Sequence, residues 1–568
     1  MAETLISPGV LARENDQSFI TAQPVSVGAA IIGPTVKGPV ETPTLVTSYS
    51  EYQNKFGTTF VSGGDAYTYF TSITAYNYFA NGGTSLLVAR VVTGSYTFAS
   101  SSAISASTLA ASQPSIVLET ISKGTIMNST STEGSNGQLA SGSADNVRWE
   151  IQNSNTASGT FDLLIRRGDD LQNNKTVLET WTNLSLDPKT PNYVARTIGD
   201  YTLNYNSVTN QVEVSGSFPN RSSYVRVKSV NLLTPDYFDN NGTPKPAYTS
   251  SIPVVASGSF GGAIGTFGVS NMYQTITITN TQGVSSGSYA NMVNLLANTD
   301  DYKFKVLLTP GLIDSLHTGV CTSIISNTQN RGDNIYVLDP VPFGTTTSAA
   351  VVAQAATRNT SYAANYWPWV QVQDPDLGKN VWVPASTVIG GVYAFNDKSA
   401  EPWFAPAGIN RGGLGQVIRP EQKLSQANRD TLYNGKVNPI ASFPGTGVVV
   451  YGQKTLQTKA SALDRVNVRR LLIELKSYIS QVALNLVFEQ NSIATRNAFL
   501  AQVNPYLESV QQRQGLYAFK VVMDDTNNTA DVIDRNQLIG QIYIQPTKTA
   551  EFIYLDFNIL PTGATFPA

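Results

Sequence analysis

His317 and Cys321 stand four residues apart, the spacing that puts two metal-binding or acid–base groups on one face of a helix. They are also the only histidine and the only cysteine of the chain. A structural zinc site needs four ligands, and nothing nearby completes the set. A nucleophilic triad needs a base, and one histidine with no distinguished serine or cysteine nucleophile does not assemble it. The run Gly261–Gly262–Ala263–Ile264–Gly265–Thr266–Phe267–Gly268 lacks the Gly-Lys-Ser/Thr that ends a phosphate loop. Asp524 and Asp525 offer too few oxygens for a hard cation and lie in what reads as a hairpin turn. Arg-Gly-Asp occurs at 167–169 and 331–333, which chance supplies in a chain this rich in Gly and Asp. The residue chemistry predicts no enzyme, no metal and no cofactor.

The totals turn the reading towards packing. At 568 residues several domains are expected. Apolar residues make up 41%, ample for globular cores, while charged residues are only 14%, well below the usual quarter. Ser, Thr, Asn, Gln and Gly take their place, as in β-rich proteins with large packed surfaces. A net charge of −3 gives no global basic field for nucleic acid. No apolar run reaches membrane-span length, and Met1–Ala2–Glu3–Thr4 lacks the features of a signal peptide. A lone cysteine fits folding in a reducing cytoplasm.

Along the chain, residues 1–20 read as an arm without a core of its own. Segments 27–32, 44–46 and 86–92 read as buried strands. Ser50 with Gln53 reads as a capping box opening a short helix, and 65–79 has helical spacing through Tyr67, Phe70, Ile73 and Tyr76. Alternating strands and helices predict an α/β layer. That pattern breaks near 93 and resumes at 304–308, followed by a helix to about 328 and a strand at 334–338. Between the breaks come strand-like pieces at 147–151, 161–166, 177–181, 211–214, 224–230 and 273–278. The predicted organisation is therefore an arm (1–20), a discontinuous middle α/β domain (21–95 and 300–424), an inserted outer β-rich domain (96–299), an inner α+β domain (425–549) and a C-terminal arm (550–568).

The inner block carries the longest helical pattern, 463–487, with Val468, Leu472, Leu475, Ile479, Val482 and Leu486 in one stripe. Arg465, Arg469, Arg470 and Glu474 lie off it. They read as a solvated face, ion-paired locally, or as a charge-paired contact with a partner, together with Glu489. A second helix, about 493–514, should kink at Pro505, with Gly515 at C′. Strand period then runs almost to the end. In the segment holding Phe552, Ile553, Tyr554, Leu555, Asp556 and Phe557, alternate residues fall on opposite faces. A strong strand at a terminus closes its own sheet or is donated to another chain.

Taken in order, several motifs resemble the tail sheath proteins of contractile-tailed bacteriophages, the T4-like group in particular. They include Ser7–Pro8–Gly9–Val10 with Glu14 and Ile32–Gly33–Pro34–Thr35–Val36–Lys37–Gly38–Pro39. Further on come Tyr366–Trp367–Pro368–Trp369, Gly390–Gly391–Val392–Tyr393 and Ala405–Pro406–Ala407–Gly408–Ile409–Asn410–Arg411–Gly412. Tyr451–Gly452–Gln453–Lys454, Val466–Asn467–Val468–Arg469–Arg470–Leu471 and Phe488–Glu489–Gln490–Asn491 complete the run. The resemblance covers about 5–95 and 300–560, and 95–300 only in patches. It implies a virion protein, assembled in the host cytoplasm. Hexameric rings of it would stack into a helical sleeve around an inner tail tube protein, with baseplate and tail terminator proteins at the ends. Exchanged terminal strands would complete the inner domain. Pro8, Gly9, Val10 and residues 552–557 are the arm strands this implies, hinged near 15–22 and 545–550. Contraction would drive the tube through the host envelope without nucleotide hydrolysis, nucleic-acid binding or membrane insertion of the sheath itself. The sheath of a bacterial contractile injection system shares these features and is the alternative. A secreted β-rich adhesin fits the Arg-Gly-Asp strings but neither the α/β core nor the missing signal peptide.

Overall fold

The computed structural model describes residues 27–106 and 114–553. Its centre is an eight-stranded sheet in the order Thr44–Val46, Leu86–Arg90, Val27–Gly33, Phe304–Ile313, Ile335–Asp339, Ala363–Trp367, Val437–Phe443, Gly447–Val450. The two end strands are antiparallel to their neighbours. All pairings between them are parallel. Parallel strands are covered on both faces and so read as continuous apolar runs. Leu86–Arg90, Ile335–Asp339 and Ala363–Trp367 are accordingly buried at every position. Ala29 and Ile31 face one core, with Phe70, Ile73 and Ile389 from helices Phe70–Ala80 and Ser386–Ser399. Ala30 and Ile32 face the other, with Tyr289, Cys321 and Val351.

After Arg90 the chain leaves this sheet and builds a second, seven-stranded and wholly antiparallel. Its order is Val177–Ser185, Thr160–Arg167, Val147–Asn155, Ala256–Gly261, Phe98–Ser101, Ile116–Lys123, Val225–Val230. It has its own core around Trp149, Phe161, Ile165 and Phe260. The chain then returns to lay Phe304–Ile313 beside Val27–Gly33, with Val27 opposite Phe304. The fold is thus mixed α/β with separate sheets.

Several expectations are corrected. The first helix is Tyr49–Phe56 and its cap is Ser48, not Ser50: the Ser48 hydroxyl accepts from Glu51 N–H at 3.1 Å, and the Glu51 carboxylate accepts from Thr47 N–H at 2.8 Å. Asp65–Thr68 is a strand, hairpinned to Thr59–Ser62 through Gly63 and Gly64, whose φ of 62° and 90° suit a tight two-residue turn. Tyr67 stacks on Phe60 across that hairpin, so its helical spacing to Phe70 was coincidental. The strand expected at 273–278 is absent, because Tyr273 has φ of 51° and opens a short 3-10 turn.

The central sheet continues past the expected boundary at 424/425. Val437–Phe443 and Gly447–Val450 complete the central sheet, since the Ala363–Trp367 edge leaves main-chain groups that a buried strand must pair. The last block begins after them, with helices Val466–Leu484 and Ile493–Gln512 and the hairpin Leu516–Val522/Gln541–Pro546. Leu471, Leu475, Val503, Leu507, Val510 and Leu516 form its core. Ile493–Gln512 runs unbroken through Pro505. Proline removes one N–H, and the buried Phe499, Val503, Leu507 and Val510 on both sides of it hold the helix together. Its left-handed terminal residue is Gln514 at φ 65°, and Gly515 follows, donating to Val510 O at 2.8 Å.

Candidate assembly surface

The hairpin Leu516–Val522/Gln541–Pro546 lies at the surface of the last block, with alternate residues exposed along Gln541–Pro546. Its two strands pair only with each other, so among the described residues both outer edges carry unpaired main-chain groups. One face, with Phe519, Val521, Ile542 and Ile544, packs on the helices. The other displays Tyr517 and Tyr543 to solvent. A two-stranded ribbon is marginal in water, and further strands on its edges are what would stabilise it.

Beyond the hairpin the chain is tied back. Thr547 N–H donates to Gly515 O at 3.1 Å, and Thr549 Oγ1 accepts from Gln453 Nε2 at 2.6 Å. The Glu551 carboxylate accepts from Arg465 Nε and a terminal guanidinium nitrogen at 2.8 and 2.9 Å, from Gln453 Nε2 at 3.0 Å, and from the Tyr433 hydroxyl. Burial pushes the Glu551 carboxyl up, but the hydrogen bonds from Arg465, Tyr433 and Gln453 outweigh it and hold it below its ordinary value. The proposed hinge 545–550 is therefore pinned at its far end. Phe552 and Ile553, the described residues of the strand expected across 552–557, are exposed and lie outside any strand. A lone strand has no ladder to join. Tyr554, Leu555, Asp556 and Phe557, like Pro8, Gly9 and Val10, lie outside the described residues.

Arg469 and Arg470 are not surface contacts. Both are buried at the start of the long helix. Arg469 lies 4.0 Å over the Tyr362 ring and donates to the Ser361 hydroxyl. Arg470 lies 4.6 Å over Tyr393 and pairs with Asp397 at 2.6 Å. The reason is the environment of that half-helix, where Val466 and Ile473 join the central core while Leu471 and Leu475 join the last one. Packed on two sides, it has no solvated face. Glu474 pairs with Lys305 at 2.6 Å, again within the chain. Glu489 alone of the five charges is exposed at the helix end.

That end is apolar instead. Leu484, Val487, Phe488 and Ile493 are exposed around the turn joining the two helices, with the Phe488 ring fully in solvent. Phe488 also has φ of 71°, a left-handed conformation costly for an aromatic residue.

His317 and Cys321 do not meet a metal set. The His317 ring accepts from Ile313 N–H at 2.9 Å and faces Thr277 O at 2.9 Å, and burial lowers its pKa. Cys321 is buried with its thiol pushed up, and no group of metal-binding side chains forms among the described residues.

Sequence reasoning missed Tyr433, Gln453, Glu551 and Asp397. Their partners Arg465, Glu551, Arg465 and Arg470 lie 32, 98, 86 and 73 positions away, beyond any local pattern. The fixed spacing of motif blocks was the only available signal.

Comparison with known proteins agrees with the resemblance. Residues 283–456 match the phage tail sheath protein central domain, and residues 458–560 the phage tail sheath C-terminal domain. The chain is similar to the tail sheath protein of Vibrio phage KVP40, 40% identical over 220 residues, covering 39% of this chain and 33% of that one. It is 41% identical over 187 residues to that of Enterobacteria phage T4, covering 33% and 28%. The chain thus spans a third or less of the length of these curated relatives. The sheath tail protein of Listeria innocua shares the fold, with a TM-score of 0.51 at 10% identity over 92% of this chain and 96% of that one. The likeness to phage tail sheath proteins thus lies in residues 283–456 and 458–560, which match that family's central and C-terminal domains.

Proposed function

We propose that this chain is the structural subunit of a contractile tail sheath, which polymerises around an inner tail tube and contracts to drive it through the host envelope. The observation that carries this reading is the Leu516–Val522/Gln541–Pro546 hairpin, with open edges beside a pinned C-terminal segment. Residues 1–20 of one neighbour and 552–568 of another would add strands to those edges, making main-chain bonds that survive rotation of the attached body. A head-to-tail contact of that kind propagates rather than closes, giving rings stacked as a helix.

In this reading 27–95 and 300–456 form the middle domain, 96–299 the outer one, and 457–549 the inner one. The apolar helix end at Phe488, with Glu489, faces the tube. Baseplate and terminator proteins cap the polymer, which is assembled in the host cytoplasm and carried in the virion. The extended form is kinetically trapped and its collapse is driven by extra subunit contact. Burying a few hundred Å² more apolar surface per subunit, at about 25 cal/mol/Å², supplies on the order of 5–10 kcal/mol. No catalytic step is needed.

Negative-stain electron microscopy of the full chain beside one lacking residues 1–20 tests this. Striated hollow tubes from the first and monomers from the second are expected. Tubes of equal length from both would remove strand donation as the basis of assembly.

A further inference from the structure

Where the eight-stranded sheet meets the seven-stranded one lies a cleft of about 300 Å³. Helix Tyr49–Phe56 brings Lys55 to its wall, and the antiparallel sheet with its loops brings Phe98, Lys123, Tyr201, Arg221 and Arg226. Four lining residues are cations and none is a carboxylate. Two of the cations have counter-charges outside the lining: Lys55 pairs with Glu51 at 2.7 Å, and Arg226 with Glu119. Lys123 and Arg221 make no ion pair among the described residues. Lys123 Nζ has only the Phe98 ring at 4.7 Å and a long 3.5 Å contact to Asn204 Oδ1. Arg226 lies 5.2 Å from the same ring centre, so the two charges are within about 10 Å of each other.

Such an arrangement is costly as it stands. Like charges at this range repel in a half-buried site. Burial lowers the Lys123 pKa, and the Arg226 and Arg90 guanidiniums lower it further against the pull of Glu41. The buried Nε–H of Arg226 has no acceptor, which leaves a desolvated donor uncompensated. Phosphate-type oxyanions suit forked guanidinium donors and a neighbouring ammonium, and the aromatic walls offer contact to an attached apolar group.

We propose that this cleft binds a small phosphate-type oxyanion carrying a compact aromatic or apolar body. The charged end lies among Lys123, Arg221 and Arg226, with the body against Phe98 and Tyr201. An occupant touching both sheets would stiffen the joint between them.

Titration calorimetry of the full-length chain with phenyl phosphate and with inorganic phosphate, in chloride buffer at constant ionic strength, tests the proposal. One saturable site per chain is expected, tighter for phenyl phosphate. Lys123→Met and, separately, the exposed Arg221→Gln should each weaken it by about tenfold. Lys189→Met, which removes an exposed cation paired with Asp236 in loops outside the cleft, should not. Absence of saturable binding up to about 10 mM, a free energy of under 3 kcal/mol, would overturn the proposal. So would equal weakening by Lys189→Met, which would mark the effect as unspecific charge. Arg221→Gln keeps the test decisive if Lys123→Met fails to fold.

Discussion

Arg470 donates to both carboxylate oxygens of Asp397 at 2.6 Å, joining the long helix of the last block to helix Ser386–Ser399 of the central layer. Burial disfavours the guanidinium charge, and Asp397 restores it. Removing one partner strands the other, whereas an apolar isostere of the buried partner removes the charge altogether. Asp397→Ala is therefore expected to cost about 2–3 kcal/mol, discounted because Asp397 is about one-third exposed. Arg470→Met should cost less. Thermal unfolding of both variants checks the order, and a reversal would show that the pair contributes mainly through Arg470 packing.

Glu551 ties the C-terminal segment to the body most strongly when ionised. Its folded pKa lies below the ordinary value of 4.5, so its stabilisation is present above that value and is lost as pH falls through the folded one. Glu551→Gln should mimic the acid state at neutral pH, at a cost on the order of 1–2 kcal/mol to the local contact. Hydrogen exchange at 547–553 is the readout. Faster exchange in the variant at pH 7, with the two proteins converging in acid, is expected; identical exchange at pH 7 would mean the cluster does not restrain the segment.

Asp339 behaves oppositely. Burial raises its carboxyl to about 7 from 3.8, against hydrogen bonds from the Ser386 hydroxyl and N–H that lower it. The folded chain then holds a proton that the unfolded chain releases. This stabilisation is full below about pH 4 and is lost as pH rises to about 7, by at most about 1.4 kcal/mol per unit. Asp339→Asn keeps an acceptor without the charge. Between pH 5 and 8 the wild type should lose more melting temperature than the variant, and parallel slopes would place the titration elsewhere.

Phe488 separates stability from assembly. Glycine accepts φ of 71° readily, so Phe488→Gly should relieve strain of about 1 kcal/mol and leave the subunit as stable or more so. If the exposed ring meets the tube, co-sedimentation with tube should fall nonetheless. Unchanged co-sedimentation would assign the strain to the turn alone.

The central strands were legible because parallel strands are buried on both faces and leave unbroken apolar runs, as Leu86–Arg90 does. Charge was harder to place. Arg469 and Arg470 fall off the apolar stripe and so read as surface, yet the helix packs on two sides and takes them in. Tyr67 shows the limit of periodicity, since a hairpin strand running into a helix mimics one longer helix. The hairpin's strands were visible from alternation, but its unpaired edges are a fact of topology that no window of sequence contains.

The pairing of Val27 with Phe304 has a consequence for how the chain is made. At about 5–20 residues per second, a ribosome takes roughly 15–55 s to deliver the second partner after the first. Through that interval the nascent Val27–Gly33 and Leu86–Arg90 pair exposes an apolar edge, while the intervening antiparallel sheet already has all its strands. The inserted sheet can fold first, and the central one is high in contact order and slow to close. Early misassociation on the polysome, before any sleeve exists, is the hazard this topology carries.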